Sequence, residues 1–213
     1  MRATGLCGAF DAERIAALSE IARRRSAPAR QVLAWPGDPA MNCATLVSGA
    51  LKVVRNLPDG RQHIVGLLFP GDLVGNPFAA RADETIVVLA DAELCVYPRA
   101  PLAALLDSHP AAVHVLLRAA LGALTEARRW MLTLGRRSAG ERVAGLLLDM
   151  AARGGGERFD LPLSRGGMAE ALGLTIETVS RQMTALKAAG IIALPSGRGV
   201  ELLDRERLRQ RTG

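Results

Sequence analysis

The stretch of sequence that decides the fold is SRGGMAEALGLTIETVSRQMTALKAAG, which occupies residues 164–190. Ser164 and Thr175 are residue types that favour the N-cap of a helix, and each would begin a short helix. Gly173 lies between these helices and can adopt the positive φ that a sharp turn needs. In the second helix the apolar residues recur at steps of three and four, as a buried face requires: Ile176, Val179, Met183 and Leu186. The pattern predicts a helix-turn-helix.

Polar residues occupy the other side of the predicted second helix, close to its beginning. Glu177, Ser180 and Arg181 lie at positions i, i+3 and i+4 and share one face. This end of the second helix meets base edges in the major groove. Arginine matches the two acceptors of guanine, and glutamate accepts from cytosine N4. The face, with Thr175 and Thr178 beside it, therefore predicts sequence-specific binding to double-stranded DNA. The alternative is a surface ion pair between Glu177 and Arg181, worth about 0.2–0.5 kcal/mol.

The residues after this motif extend it to a winged helix. Two apolar runs, 191–194 and 200–203, flank the Pro-, Ser- and Gly-containing segment 195–199. Strand-forming runs around such a segment predict a hairpin. Arg198 lies in its tip, where we expect its guanidinium to contact a DNA phosphate.

A long helix with a heptad pattern precedes the winged helix. Seven residues alternate at steps of four and three: Val113, Leu117, Ala120, Leu124, Ala127, Met131 and Leu134. This spacing is typical of a seam between two helices, so it predicts a homodimer. The alternative is a helix packed on its own domain, for which Leu116, Leu121 and Trp130 are available. Ser138 and Glu141 then have the spacing of a capping box, which predicts the beginning of the next helix.

The first half of the chain has the pattern of a β-roll. Between residues 28 and 98, short β-rich runs alternate with turns that contain Gly or Pro. Asp59-Gly60 is a hairpin signal between two of these runs. The order of patterns predicts an α+β fold with a β-roll sensor domain at 1–108, a dimerisation helix and hinge at 109–137, and a winged helix-turn-helix domain at 138–213.

Composition narrows the class of protein further. The 213 residues carry a net charge of +6 and a pI of about 10.2, which suits a polyanionic partner. The sequence has no apolar run long enough to cross a membrane and no signal-peptide core at its N-terminus, so we expect a cytoplasmic protein. No metal-ligand spacing, nucleophile elbow or phosphate loop is present, so we expect no enzyme.

The sequence LTIETVSR at 174–181 resembles the recognition helix of the Fnr and FixK branches of the Crp/Fnr superfamily. The order of β-roll, long helix and winged helix resembles that superfamily across almost the whole chain, in particular α-proteobacterial Fnr-type members. The resemblance implies a transcription activator or repressor that controls oxygen- or redox-responsive genes at inverted repeats of TTGAT. It also implies that Arg181 meets the guanine, Glu177 the opposite cytosine, and Ser180 a neighbouring thymine or phosphate. RNA polymerase is then an expected partner.

The resemblance also implies a β-roll of the cyclic-nucleotide-binding type, but with altered ligand residues. Relatives that bind cyclic AMP carry a Glu after the Pro-Gly-Asp turn and an Arg that holds the cyclic phosphate. Here Asn76 replaces the Glu, and Glu84-Thr85 stands where Arg-Thr is expected. A carboxylate repels a phosphate, so we expect no cyclic nucleotide binding. A cyclic-nucleotide-binding module that regulates an enzyme is the less favoured alternative.

Two of the three cysteines resemble ligands of the family's 4Fe-4S cluster. Cys7 resembles the third cysteine of the N-terminal set and Cys95 resembles the cysteine of the roll, whereas Cys43 has no counterpart. A buried thiol is the expected role of Cys43. Since the cluster needs four thiolates, Cys7 and Cys95 form only a partial set.

The missing pair of cysteines would lie just upstream of Met1. Met1 stands where relatives have a valine, whose codon GTG is also an alternative start codon. Our hypothesis is that the full-length chain holds a 4Fe-4S cluster and that the chain as given holds none. The alternatives are a cluster-free FixK-like regulator and a haem- or nitric-oxide-sensing regulator that uses His63, His109 or His114.

Overall fold

The computed structural model describes residues 18–56, 62–154 and 156–213. The chain divides into two compact units, Met1–Leu124 and Thr125–Gly213. The three segments predicted from the sequence, with a separate dimerisation helix and hinge at 109–137, stay a prediction.

The first unit is a roll of antiparallel strands. Within the described residues these are β1 (Arg23–Ala27), β2 (Val32–Ala34), β3 (Asn42–Asn56), β4 (Gln62–Leu68), β5 (Leu73–Val74) and β6 (Thr85–Pro98). The hydrogen-bonded order is β1-β6-β3-β4, with β2 also on β6 and β5 also on β3. The predicted roll is confirmed. The predicted turn at Asp59-Gly60 lies outside the described residues, but β3 and β4, which flank it, pair antiparallel as a hairpin requires.

The two longest strands, β3 and β6, approach each other closely at Gly49. The φ of Gly49 is +90°, a value that residues with a side chain rarely adopt. A Cβ at this position would lie 2.7 Å from the Cα of Ala92 and would also clash with the carbonyl oxygen of Asp91. The pairing register shifts on both sides of Gly49, which bends the strand. The roll therefore depends on glycine at this point.

Alternate residues of β3 and β6 supply two separate apolar clusters, because successive side chains of a strand point to opposite faces. Ala44 and Leu94 belong to the cluster between the strands of the roll. Cys43 and Tyr97 belong to the second cluster. That cluster also contains Leu102 and Leu106 of the first helix, α1 (Arg99–Asp107), and Leu18 from the described N-terminal residues. Other members of the two clusters are Ala27, Leu46, Leu51, Val74, Val88, Ala92 and Ala112.

The long helix α2 runs from Pro110 to Arg136 without a break. Of the residues considered for packing within the chain, Leu116 lies against the cluster around Leu102, and Trp130 is half-buried. Leu121 is 54% exposed. No single described helix is long and apolar enough to cross a membrane; α1 and α2 pass that test only as a pair, bent by 110°.

The second unit contains the winged helix. After the C-terminal part of α2, its described elements are α3 (Ala139–Gly154), β7 (Arg158–Asp160), α4 (Arg165–Leu172), α5 (Ile176–Ala188), β8 (Ile192–Ala193), β9 (Gly199–Leu202) and α6 (Arg205–Gln210). The three strands pair antiparallel in the order β7-β9-β8. The predicted helix-turn-helix and the hairpin after it are therefore confirmed.

The capping box predicted at the beginning of α3 is also present. The backbone N–H of Ser138 donates to Glu141 Oε2 at 2.6 Å, and the N–H of Glu141 donates to Ser138 Oγ at 3.4 Å. Hydrogen bonds from the Ser138 side chain and then from its backbone N–H lower the pKa of the Glu141 carboxyl. One face of α3 is fully buried: Val143, Leu146, Leu147 and Met150. The second unit is thus built around this helix.

Candidate DNA-binding site

The turn between α4 and α5 is fixed by local hydrogen bonds that the sequence had indicated. The side chain of Ser164 caps α4 by accepting from the N–H of Gly167 at 3.1 Å. Gly173 ends α4 in the left-handed conformation, with φ of 62°. The side chain of Thr175 caps α5 by accepting from the N–H of Thr178 at 3.2 Å. These contacts determine where the second helix begins and which of its side chains face outward.

The three predicted base-reading residues lie together on the first two turns of α5. Glu177 and Arg181 are exposed and Ser180 is half-buried. The pKa of the Glu177 carboxyl is lowered, first by its own backbone N–H and then by the Thr175 side chain, so it remains an anionic acceptor at neutral pH. Thr175 is exposed and Thr178 half-buried at the same helix end. The described part of the chain has no ion pair between Glu177 and Arg181, so the structure does not support their mutual pairing.

Ile176 departs from the prediction. Val179, Met183 and Leu186 form the buried face of α5, but Ile176 is 52% exposed. It occupies the first helical position, beside Gly166 of α4, whose missing Cβ would lie 3.7 Å from Ile176 Cδ1. Gly166 has no side chain that could cover Ile176, so the side chain of Ile176 remains exposed beside Glu177. The helical period alone could not indicate this, since the covering residue belongs to another helix.

The wing presents Arg198 to solvent. Its side chain is exposed, while its carbonyl accepts from the N–H of Leu161 at 2.9 Å. The next residue, Gly199, donates its N–H to Ser196 Oγ at 2.9 Å. The backbone of the tip is therefore held in place and the guanidinium is free to reach outward. The predicted phosphate contact of Arg198 stays a prediction.

The predicted seam of α2 is open along most of its length. Its large apolar side chains are between 38% and 72% exposed: Val113, Leu117, Leu124 and Met131. Ala120 and Ala127 are exposed and Leu134 is half-buried. A face of this kind is unusual for a protein that works as a single chain, because isolated exposed apolar residues are common but continuous rows are not.

Comparison with known proteins identifies the family. Residues 141–211 match the Crp-like helix-turn-helix domain, and residues 24–109 match the cyclic nucleotide-binding domain. The transcriptional activator protein FnrL of Cereibacter sphaeroides is 38% identical, and the alignment covers 100% of this chain and 90% of FnrL. This chain belongs to the Fnr/FixK branch of the Crp/Fnr family.

Other members of the family agree with this placement. The nitrogen fixation regulation protein FixK of Bradyrhizobium diazoefficiens is 32% identical over 98% of this chain and 90% of its own length. Among solved structures, FixK2 from Bradyrhizobium japonicum superposes with a TM-score of 0.86 at 30% identity, covering 91% of this chain and 98% of FixK2. This Crp/Fnr-family chain is a DNA-binding transcription regulator of the Fnr type.

The β-roll of this Fnr-type regulator contains a cavity whose lining includes both arginines and carboxylates. The cavity measures about 490 Å³, and its lining includes Arg55, Glu84 and Asn76. Arg55 Nε donates to Glu84 Oε1 at 3.2 Å. Glu84, whose carboxylate is predicted to repel a cyclic phosphate, therefore lines the cavity and forms an ion pair with Arg55. That the roll does not bind cyclic nucleotides stays a prediction.

The described cysteines and histidines of this regulator differ in exposure. Cys43 is buried, and burial, partly offset by Arg99, raises the pKa of its thiol. Cys95 is half-buried in β6, and Cys7 lies outside the described residues. His63 and His109 are half-buried and His114 is exposed. No group of three or more His, Cys, Asp or Glu in the described part of the chain is arranged to hold a metal ion.

Proposed function

We propose that this regulator binds inverted repeats of TTGAT-type half-sites and reads them through Glu177, Ser180 and Arg181. The observation that carries the proposal is the geometry of α5: its capped first turns present an ionised carboxylate and an exposed guanidinium on one face. Such groups match a C·G pair, because glutamate accepts from cytosine N4 and arginine donates to guanine O6 and N7. A protein with this partner works in the cytoplasm, alongside RNA polymerase, and catalyses no reaction of its own.

The residues around this reading face have supporting roles in the proposal. Ile176 lies open beside Glu177, and apolar side chains recognise thymine by contact with its methyl group. In the proposal Thr175, Thr178 and Arg198 contact the DNA backbone, where such contacts set the register of the protein on the duplex. Ile176 therefore adds a thymine contact that the sequence analysis did not assign.

The same proposal includes a homodimer joined along α2. The exposed row of apolar residues follows the heptad spacing, and a second copy of the same row would cover it. A twofold dimer presents two recognition helices, which explains why the proposed site is an inverted repeat. The small residues Ala120 and Ala127 reduce the apolar area in the seam, so the dimer can be weak enough to be regulated.

Binding of the wild-type chain to synthetic duplexes tests the proposal. We expect a duplex with two TTGAT half-sites in inverted repeat to bind at least about 10³-fold more tightly than a scrambled duplex at the same salt concentration. Fluorescence anisotropy with labelled duplexes measures both affinities. A matched duplex in which only the G·C pair of each half-site is exchanged serves as control. Equal affinity for all three duplexes would contradict the proposed site.

The second part of the proposal concerns the signal. We propose that oxygen or redox state is sensed, as the resemblance to the Fnr branch implies, and that a 4Fe-4S cluster is bound only by a full-length form with further cysteines. The described residues do not fit the cluster by themselves. Cys95 is half-buried, and Cys43 is buried with a raised thiol pKa, whereas the thiolate is the form that binds metal. Haem sensing and the cluster-free FixK-like regulator remain the competing hypotheses.

Anaerobic reconstitution separates these hypotheses. The 213-residue chain, given iron and sulfide without oxygen, is expected to hold no stable cluster, because Cys7 and Cys95 supply half of the thiolates required. A form extended upstream through a Cys-x-x-Cys pair is expected to bind about four iron and four sulfide per chain and to bleach in air. Absorbance near the cluster band and iron analysis measure the outcome.

Two cysteine variants of the extended form act as matched controls. Cys95→Ser should abolish the cluster, whereas Cys43→Ser should leave it intact. If Cys43→Ser removes the cluster and Cys95→Ser does not, the assignment of the two cysteines is wrong. If the upstream codons encode no Cys-x-x-Cys pair, the cluster-free FixK-like hypothesis replaces this one.

A further inference from the structure

One guanidinium in the second unit bonds to three backbone carbonyls from two separate segments of the chain. Arg142, in the first turns of α3, is half-buried and donates three hydrogen bonds to backbone carbonyls. Its Nη2 donates to the oxygen of Leu134 at 2.8 Å, and its Nε donates to that of Arg137 at 2.9 Å. Its Nη1 donates to the oxygen of Leu172 at 2.9 Å.

The three acceptors are carbonyls that helix ends leave without partners. Leu134 lies in the last turn of α2 and Arg137 directly follows that helix. Leu172 is the last residue of α4. The last carbonyls of a helix have no intrahelical donor, and they carry the negative end of the helix dipole. Arg142 therefore donates to unpaired carbonyls at the C-terminal ends of two helices. Its positive charge lies where both helix dipoles are negative.

A second side-chain contact near Arg142 also connects α2 to α3. Arg129 of α2 donates to Asp149 of α3 at 2.8 Å, which fixes the two helices a few turns away from Arg142. Between them remains a cavity of only about 20 Å³, lined in part by Trp130 and Thr133. Room of this size suffices for about one water molecule. The end of α2 is thus held against α3 at two points, with little space for relative movement.

The position of Leu172 connects this joint to DNA reading. Leu172 is followed by Gly173, the left-handed turn residue, and then by Thr175, which caps α5. Leu134, whose carbonyl also accepts from Arg142, is the last residue of the predicted dimer seam. One side chain therefore bonds both the end of the seam helix and the turn from which the recognition helix starts.

We propose that Arg142 is a positioning residue that fixes the recognition helix relative to the dimer seam, and so sets the half-site spacing that the dimer accepts. The inference rests on the proposed homodimer and its inverted-repeat site. A dimer reads two half-sites at a separation fixed by its own geometry. If the joint is loose, only a fraction of dimers holds both recognition helices at that separation, and the apparent affinity falls by that fraction. Binding to a single half-site does not depend on the separation of the two recognition helices.

The variant that tests this role is Arg142→Lys. Lysine keeps the positive charge but lacks the planar fork of donors that reaches three carbonyls. Wild-type and variant chains are titrated against inverted TTGAT repeats that differ only in the number of base pairs between the half-sites, and against one isolated half-site. We expect Arg142→Lys to lose about tenfold or more in affinity at the spacing that the wild type prefers, with unchanged half-site affinity and a flatter spacing profile.

Val143→Ala is the matched control. Val143 is the next residue of α3, is fully buried, and bonds to none of the three carbonyls. Its truncation lowers the stability of the same domain, as a large-to-small core change does. We expect its spacing profile to match that of the wild type. Arg142→Gln serves as a second variant should Arg142→Lys fail to fold, and circular dichroism and sedimentation confirm that each variant is folded and dimeric.

Two results would overturn the inference in different ways. If the Arg142 variants keep the wild-type spacing profile and only unfold at lower temperature, as Val143→Ala does, Arg142 has a purely structural role. If the wild type itself shows no preference for an inverted repeat over a single half-site, the proposed function fails, and the positioning role fails with it.

Discussion

Arg181→Ala is expected to raise the dissociation constant for a TTGAT inverted repeat by about 30-fold to about 10⁴-fold. A bidentate contact between arginine and guanine discriminates by about 1–3 kcal/mol, and a dimer makes the contact once in each half-site. Arg181 is exposed on α5 and has no side-chain hydrogen bond or ion pair within the part of the chain that the structure describes, so the loss should fall on DNA affinity and leave the thermal stability unchanged. Anisotropy titrations at fixed salt, with each position of the half-site varied, measure it.

Arg209→Ala provides the matched control for this change. Arg209 lies in α6 of the same unit, is exposed, and pairs with Glu206 at 3.1 Å. Removing it takes away the same charge without touching the reading face, so specific binding should stay within about twofold of the wild type, as for most surface substitutions. Should Arg181→Ala continue to discriminate the G·C pair as the wild type does, the assignment of Arg181 to guanine is incorrect.

Met131→Glu and Leu124→Asp are expected to convert the protein to monomers and to abolish binding to the inverted repeat. Each change puts two carboxylates into facing positions of the proposed seam, and their desolvation without partners costs several kcal/mol per dimer. Met131 is 72% exposed and Leu124 is 45% exposed in the single chain, so neither substitution disturbs a core. Sedimentation at micromolar concentration measures the dimer, and circular dichroism confirms the fold.

Leu132→Glu is the control for the seam. Leu132 is 65% exposed, carries a similar apolar side chain, and occupies heptad position b, outside the a/d seam. The variant should remain dimeric and bind the inverted repeat normally. If Leu132→Glu produces monomers while Met131→Glu stays dimeric, the dimer interface lies on a different face of α2 from the one proposed here.

The parts of the fold that the sequence predicted well are those set by neighbouring residues. Ser164, Gly173 and Thr175 determine the turn of the helix-turn-helix through hydrogen bonds within a few positions of the chain. N-cap and glycine signals describe such local contacts directly. The same holds for the capping box of Ser138 and Glu141. The exposed polar face of α5 follows from these boundaries, which is why its residues could be named from spacing alone.

Features that depend on contacts between segments far apart in the chain were not predicted from the sequence. Ile176 was assigned to the core because its spacing fits, yet its cover depends on a glycine of another helix. The role of Arg142 left no signal in the sequence, since its three partners are carbonyls and every residue has one. The pairing of Arg55 with Glu84 joins β3 to the residue just before β6. Such pairings depend on the register of strands far apart in the chain, which a residue pattern does not contain.

The way β3 pairs with β6 affects how fast the two units form. Cys43 pairs with Tyr97 and Val54 with Thr85, so the central ladder of the roll joins residues far apart in the chain. Closing such long loops costs entropy before any contact compensates for it. The winged helix depends mainly on short-range turns and caps, and chains rich in local contacts fold faster. During synthesis the roll emerges from the ribosome first, yet we expect the later-made winged helix to complete its folding in less time.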